Sequence, residues 1–317
     1  MTMKLIIDCD TGSDDAVAIM AAALHPALDL IAVTTVNGNV PLENTTDNTL
    51  RVLDAIESSI PVHAGCPRPL VRSDFPIPRD VLNAGREEFQ KRRLDLPDPV
   101  STASERGAVE VLIEHYLGPD GPETTLVAVG PLTNIAAALA AEPRLATRIP
   151  RLVIMGGARG WGNVTATAEF NFWVDPEAAA AVLSAGIADV LIVPLDATHD
   201  AAISRDHCAR FDAIGTPGAV ATASLVRGRI DTYPGSEHTP MDAAPVHDAL
   251  CIAALLRPAV LTQVISAAVT VETGGLHSVG SLVIDERPWS PLPHNARVAL
   301  RADADVFADT LAEAFDS

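Results

Sequence analysis

The chain has 317 residues, 48% hydrophobic and 20% charged, which is ample for a large core and excludes a disordered protein. Its formal net charge of −19, with Lys91-Arg92-Arg93 as the densest basic run, would repel a phosphate backbone and argues against a nucleic-acid partner. The four scattered cysteines form no CxxC pair, no stretch reaches the ~18 apolar residues of a membrane span, and the apolar start is too short for a signal peptide, so a soluble, cytoplasmic protein is expected.

Lys4 to Ile7 predicts a buried strand that runs into Asp8-Cys9-Asp10-Thr11-Gly12-Ser13-Asp14-Asp15 and then a helix. Leu28 to Val36 predicts a second strand, ending at Asn37-Gly38-Asn39 and followed by a helix over 43–57. Residues 67–104, with six prolines and no clear period, predict a surface excursion near the site. Thr125 to Val129 predicts a strand ending at Gly130-Pro131, after which Thr133 or Asn134 can cap an Ala-rich helix over 135–141. Arg151 to Met155 ends at Gly156-Gly157, Asp175-Pro176-Glu177 opens a helix to about Ala185, and Val190 to Leu195 ends near Asp196 and His199. Residues 204–245 read as mostly helical, closing with a Gly/Pro-rich loop from Tyr233 to Pro245, and a helix follows at 247–256. Val264 to Val306 predicts strands and hairpins, with turn signals at Gly274-Gly275 and Asp285-Glu286.

The strands are continuous apolar runs, as expected of parallel strands covered on both faces. Strand–helix alternation then predicts an α/β fold, a doubly wound and mostly parallel sheet with helices on both faces, in one large domain over 1–317. Ligands bind beyond the carboxyl ends of such strands, where this chain concentrates Asp, Asn and Gly.

Four carboxylates within eight residues repel one another unless a cation or a helix dipole offsets them. One such aspartate is ordinarily a helix cap; four straight after an apolar strand favour a hard divalent cation, Mg²⁺ or Ca²⁺ rather than zinc. A free strand-end carbonyl, such as that of Val129, can add an oxygen ligand. Glu169 and Asn171, two apart, would share one face of an extended segment and, with Asn163, can hydrogen-bond sugar hydroxyls or simply form a polar loop face. Asp248 reads as a cap or a ligand, and His247 as a general acid or an ordinary satisfied side chain. Trp161 is the better stacking candidate, Trp173 a core residue, and His199 has no firm role.

Together these motifs resemble the nucleoside hydrolase family (inosine–uridine preferring hydrolases and relatives) over nearly the full chain. The DxDxGxDDAxA pattern falls at Asp8 to Ala18, the strand-end Asn motif at Val36 to Asn39, Gly-Pro-Leu-Thr-Asn at Gly130 to Asn134, the Met-Gly-Gly…Glu-Phe-Asn…Asp-Pro-Glu-Ala run at Met155 to Ala178, and His-Asp at His247-Asp248. The resemblance implies Ca²⁺-dependent hydrolysis of the N-glycosidic bond of ribonucleosides through an oxocarbenium-like state. It implies a cation on Asp10, Asp15, Asp248 and the Val129 carbonyl, with Asp10 also the general base. Asp14, Asn39, Met155, Asn163, Glu169 and Asn171 would hold the ribose, Asp8 would support the site, His247 would be the candidate acid, and the assembly would be a homodimer or homotetramer. One departure concerns the His-Gly-x-x-Gly-Leu stretch of several family branches: Asn83 to Phe89 carries neither the His nor the second Gly, which leaves the base preference open.

Three other readings compete: a relative acting on an unusual riboside, a non-catalytic nucleoside- or sugar-binding module, and a haloacid-dehalogenase-type phosphatase with Asp8 as nucleophile and Mg²⁺ as its metal.

Overall fold

β1 (Met3–Cys9) lies inside a nine-stranded sheet because its residues are apolar on both sides: Leu5, Ile7 and Cys9 enter one buried layer and Ile6 the other. The computed structural model describes residues 2–74, 91–232 and 239–316. After β1 come α1 (Ser13–Leu24), β2 (Leu28–Thr35), α2 (Leu42–Ala55), β3 (Val62–Ala64) and α3 (Ala108–Leu117). β4 (Thr124–Ala128), α4 (Thr133–Ala141), β5 (Leu152–Met155), α5 (Phe170–Val174), α6 (Pro176–Ser184) and β6 (Val190–Val193) follow. Then come α7 (Leu195–Asp200), β7 (Ile203–Ser204), α8 (Arg205–Ile214), α9 (Pro217–Thr232), β8 (Ala243–Ala244) and α10 (Ala249–Leu256). The chain closes with β9 (Leu261–Val271), β10 (Leu282–Asp285), β11 (Ala296–Ala302) and α11 (Ala304–Phe315).

The strand order is β10-β9-β11-β6-β5-β4-β1-β2-β3, with a separate β7–β8 pair. From β3 to β11 neighbours run parallel; β9 is antiparallel to β11, and β10 to β9. The predicted doubly wound, mostly parallel α/β sheet is therefore what the chain forms. Successive residues of β4, β5 and β6 also alternate between the two buried layers, which explains why these strands read as unbroken apolar runs.

β1 sends its chain outward to β2 and β3 on one side, while β4, β5 and β6 lie on the other, so the order reverses between β1 and β4. Crevices at such a reversal, beyond the carboxyl strand ends, receive ligands. Asp8 pairs in register with Thr34 of β2 and Ala128 of β4, so three strand ends finish level and their following loops meet.

Two local expectations are corrected. Neither Thr133 nor Asn134 caps α4: Leu132 holds that position, Thr133 Oγ1 donates to Asp175 at 2.7 Å, and the Asn134 side chain serves distant partners. Glu169 and Asn171 do not lie on an extended segment; Glu169 is the N-cap of α5 and Asn171 is inside it. Within the proline-rich excursion (67–104) and the Tyr233–Pro245 loop, residues 75–90 and 233–238 lie outside the described residues, and so does the 83–89 departure. Among the described residues no helix is long and apolar enough to cross a membrane.

Candidate active site

Asp10 is the first residue past β1 and is buried. Its Oδ2 accepts the Asn39 backbone N–H at 2.5 Å, while its Oδ1 is buried with no hydrogen-bond partner among the described residues. Gly38 and Gly130 pack directly on this carboxylate: a Cβ at Gly130 would come 2.9 Å from Oδ1, and one at Gly38 would overlap Oδ2. Loops after β2 and β4 thus wall in the side chain with backbone.

Asp15 sits in the first turn of α1 and accepts Gly12 N–H at 2.8 Å and Asp10 N–H at 3.2 Å. The capping role considered for one aspartate is therefore filled, by the same carboxylate that turns toward Asp248, which precedes α10 and hydrogen-bonds it. Oxygens of Asp14, Asp15 and Asp248 all lie within 4.8 Å of one another, and all three residues are buried. Burial and then the neighbouring Asp14 charge push Asp15 up to about 7. Burial and then Asp15 hold Asp10 well above the usual carboxylate range, and burial with Asp14 and Asp15 does the same to Asp248.

Crowded buried carboxylates that resist ionising, beside an orphaned carboxylate oxygen, are a donor set that suits a hard cation. The residues present fit a metal. The convergent trio contains Asp14 where the sequence reading had Asp10, and the Val129 carbonyl accepts the Asn171 amide at 2.9 Å.

Glu169 accepts backbone N–H groups of Gly157 (2.8 Å), Asn171 (2.8 Å) and Phe172 (3.2 Å), and burial still raises it to about 7. Asn171 Nδ2 donates to the carbonyls of Val129 (2.9 Å) and Met155 (3.1 Å), pinning the ends of β4 and β5 together. Asn163 is exposed on the loop between β5 and α5.

His247 is buried next to Asp248, with Nδ1 2.7 Å from Thr198 Oγ1. Its ring lies 5.3 Å from that of His199, which in turn lies 4.5 Å from that of Trp161, both edge-on. Burial, Arg229 and His199 lower the proton affinity of His247 well below the ordinary imidazole value. Asp196 accepts Arg159 N–H at 2.7 Å and Gly160 N–H at 3.0 Å, tying the Trp161 loop to the helix that carries Thr198 and His199.

Asp8 is wholly buried, its Oδ1 held by Thr34 (2.5 Å) and Asn134 (2.7 Å), and burial raises it to about 6. Asp8 is thereby tied to β2 and to α4. Sequence reasoning missed Asn134 as its partner, missed Arg229 and Thr198, and gave His199 no firm role; their partners lie far away in sequence, and no local pattern marks them.

The sequence profile of the family described as "inosine-uridine preferring nucleoside hydrolase" matches residues 5–309. The chain belongs to this family and is an N-glycosyl hydrolase of it. It is 37% identical, over 96% of its length and 94% of the relative's, to a pyrimidine-specific ribonucleoside hydrolase RihB of Escherichia coli (strain SE11). Its fold is similar to that of a purine-preferring ribonucleoside hydrolase from Gardnerella vaginalis (TM-score 0.87, 27% identity, 99% and 98% of the two chains covered). It is also similar to a plant nucleoside hydrolase (TM-score 0.86, 28% identity, 100% of each chain covered).

Proposed function

We propose that this protein hydrolyses the N-glycosidic bond of ribonucleosides to ribose and free base, with Ca²⁺ held by Asp10, Asp15, Asp248 and the Val129 carbonyl. The observation that carries the reading is the Asp10 Oδ1 atom, buried and unpartnered among the described residues, beside converging carboxylates at the sheet's reversal point. When bound, the cation would polarise water and the ribose hydroxyls.

Asp10 Oδ1 takes a proton from the attacking water as its oxygen bonds to C1′ and the C1′–N bond breaks. Asp14, Asn39, Asn163, Glu169, Asn171 and the Met155 segment orient the ribose. Positive charge builds on the sugar as the bond breaks, and the ionised acids around it stabilise that charge more than the neutral substrate. With the Thr198 hydroxyl, 2.7 Å from Nδ1, taken as the donor to it, the neutral His247 ring presents Nε2–H to the departing base, which leaves as an anion hydrogen-bonded there and takes its proton from solvent. The four cysteines are free thiols, which supports a reducing, cytoplasmic compartment.

The test is ribose release from uridine and inosine against their 2′-deoxy analogues. Ribosides should win by ~10²-fold or more, because a missing hydroxyl leaves buried polar partners unsatisfied. Equal rates would remove the ribose assignments. Tight nucleoside binding without turnover would favour the binding-module reading.

A further inference from the structure

Arg229 stands in the last turn of α9, and its guanidinium meets three segments at once. Nε donates to the Pro245 carbonyl at 2.7 Å, three residues before Asp248. One terminal nitrogen lies 3.3 Å from Ser13 Oγ and 3.4 Å from Asp14 Oδ1, and the other lies 3.3 Å from Asp14 Oδ2. Both side chains are 11% exposed, so water screens this pair weakly. Asp14 is also one of the three carboxylates whose oxygens converge within 4.8 Å.

Two positive centres therefore compete for one carboxylate. A guanidinium facing both Asp14 oxygens blocks the approach of a cation from that side and adds a like charge beside it. Its contacts are long for charge-assisted hydrogen bonds, so lone pairs on Asp14 remain able to accept a hydroxyl.

We propose that Arg229 is a positioning residue that keeps Asp14 out of the cation's ligand set and reserves its carboxylate for a ribose hydroxyl. Asp10, Asp15 and Asp248 are thereby left to the metal. This rests on the ribonucleoside reading above. It also gives the adjacent aspartates, Asp14 and Asp15, different tasks through a contact from a helix more than 200 residues away in sequence.

The test uses the full-length protein, stripped of metal and titrated with Ca²⁺ by calorimetry, beside steady-state kinetics on uridine and inosine. Arg229→Gln, which keeps a donor for Pro245 but removes the charge, should bind Ca²⁺ about tenfold more tightly while KM rises about tenfold and kcat stays within about threefold. Arg229→Lys keeps the charge, so its Ca²⁺ affinity should match the wild type, with KM between the two. Asp14→Asn should raise KM and weaken Ca²⁺ binding about tenfold through the lost neighbouring charge, without the collapse that removal of a direct ligand brings. Unchanged or weakened Ca²⁺ binding in folded Arg229→Gln overturns the proposal. So does a collapse of Ca²⁺ affinity in Asp14→Asn, which decides the matter if Arg229→Gln fails to fold. A wild type that binds Ca²⁺ but releases ribose from neither nucleoside would sink the function proposed above, while calorimetry would still judge Arg229.

Discussion

The backbone N–H of Asn39 holds one oxygen of Asp10 at 2.5 Å and leaves the other buried, with no partner among the described residues. A base oriented in this way loses its proton-accepting capacity, but not its shape, when its carboxylate becomes an amide. Asp10→Asn should therefore lower kcat by ~10²–10⁴ and keep a cooperative thermal transition. A kcat within a few-fold of the wild type would remove Asp10 from the chemistry.

Thr198 fixes the ring of His247 through Nδ1. Thr198→Val removes that hydroxyl at nearly constant volume, freeing the proton to move to Nδ1 and turning Nε2 from donor to acceptor. We expect kcat on uridine to fall about tenfold with KM little changed, and Thr198→Ser to restore it. A kcat unmoved by Thr198→Val would show that the tautomer does not matter.

Asn134 spans three structural pieces, donating to Asp8 Oδ1 at 2.7 Å and to the Thr35 carbonyl at 3.0 Å while accepting Cys66 N–H at 2.7 Å. Asn134→Leu removes all three bonds, leaving Asp8 Oδ1 with Thr34 alone and taking this partner from the Thr35 carbonyl and the half-buried Cys66 N–H. Denaturant unfolding should show a loss of about 3 kcal/mol, larger than an ordinary surface change. A loss under about 1 kcal/mol would mean that these groups find other partners.

The metal-free protein should become less stable as pH rises. Asp15 and Glu169 stand near 7 in the folded chain, above their unfolded values close to 4, so the native state holds extra protons between those limits. Their contribution is full below about pH 4 and is lost as pH climbs through about 7. Asp10 and Asp248 act in the same direction, and His247, whose proton affinity is lowered, opposes them. Melting of chelated protein should fall across this window, and Ca²⁺ at pH 7 should restore several degrees together with activity. A melting temperature indifferent to Ca²⁺ would argue against a cation among these acids.

How much of this was legible in the sequence follows from distance along the chain. The Asp8 to Asp15 run was readable because a strand, a turn and a helix start place neighbouring residues together by local geometry. The sheet was readable because strands covered on both faces need unbroken apolar runs. Glu169 and Asn171 misled: polar residues two apart fit a strand, but the Glu169 carboxylate captures the first free N–H groups of a short helix instead. Arg229 could not be found by any spacing rule, since its partner Asp14 is met only after the fold brings α9 across α1.

The two glycines pressed against Asp10 have a consequence for how such an enzyme can change. Main chain walls in that carboxylate, so its aim depends little on which side chains surround it. Under the proposed mechanism, selectivity for the base would drift among Trp161, His199 and the adjoining loops while water activation at Asp10 stays put.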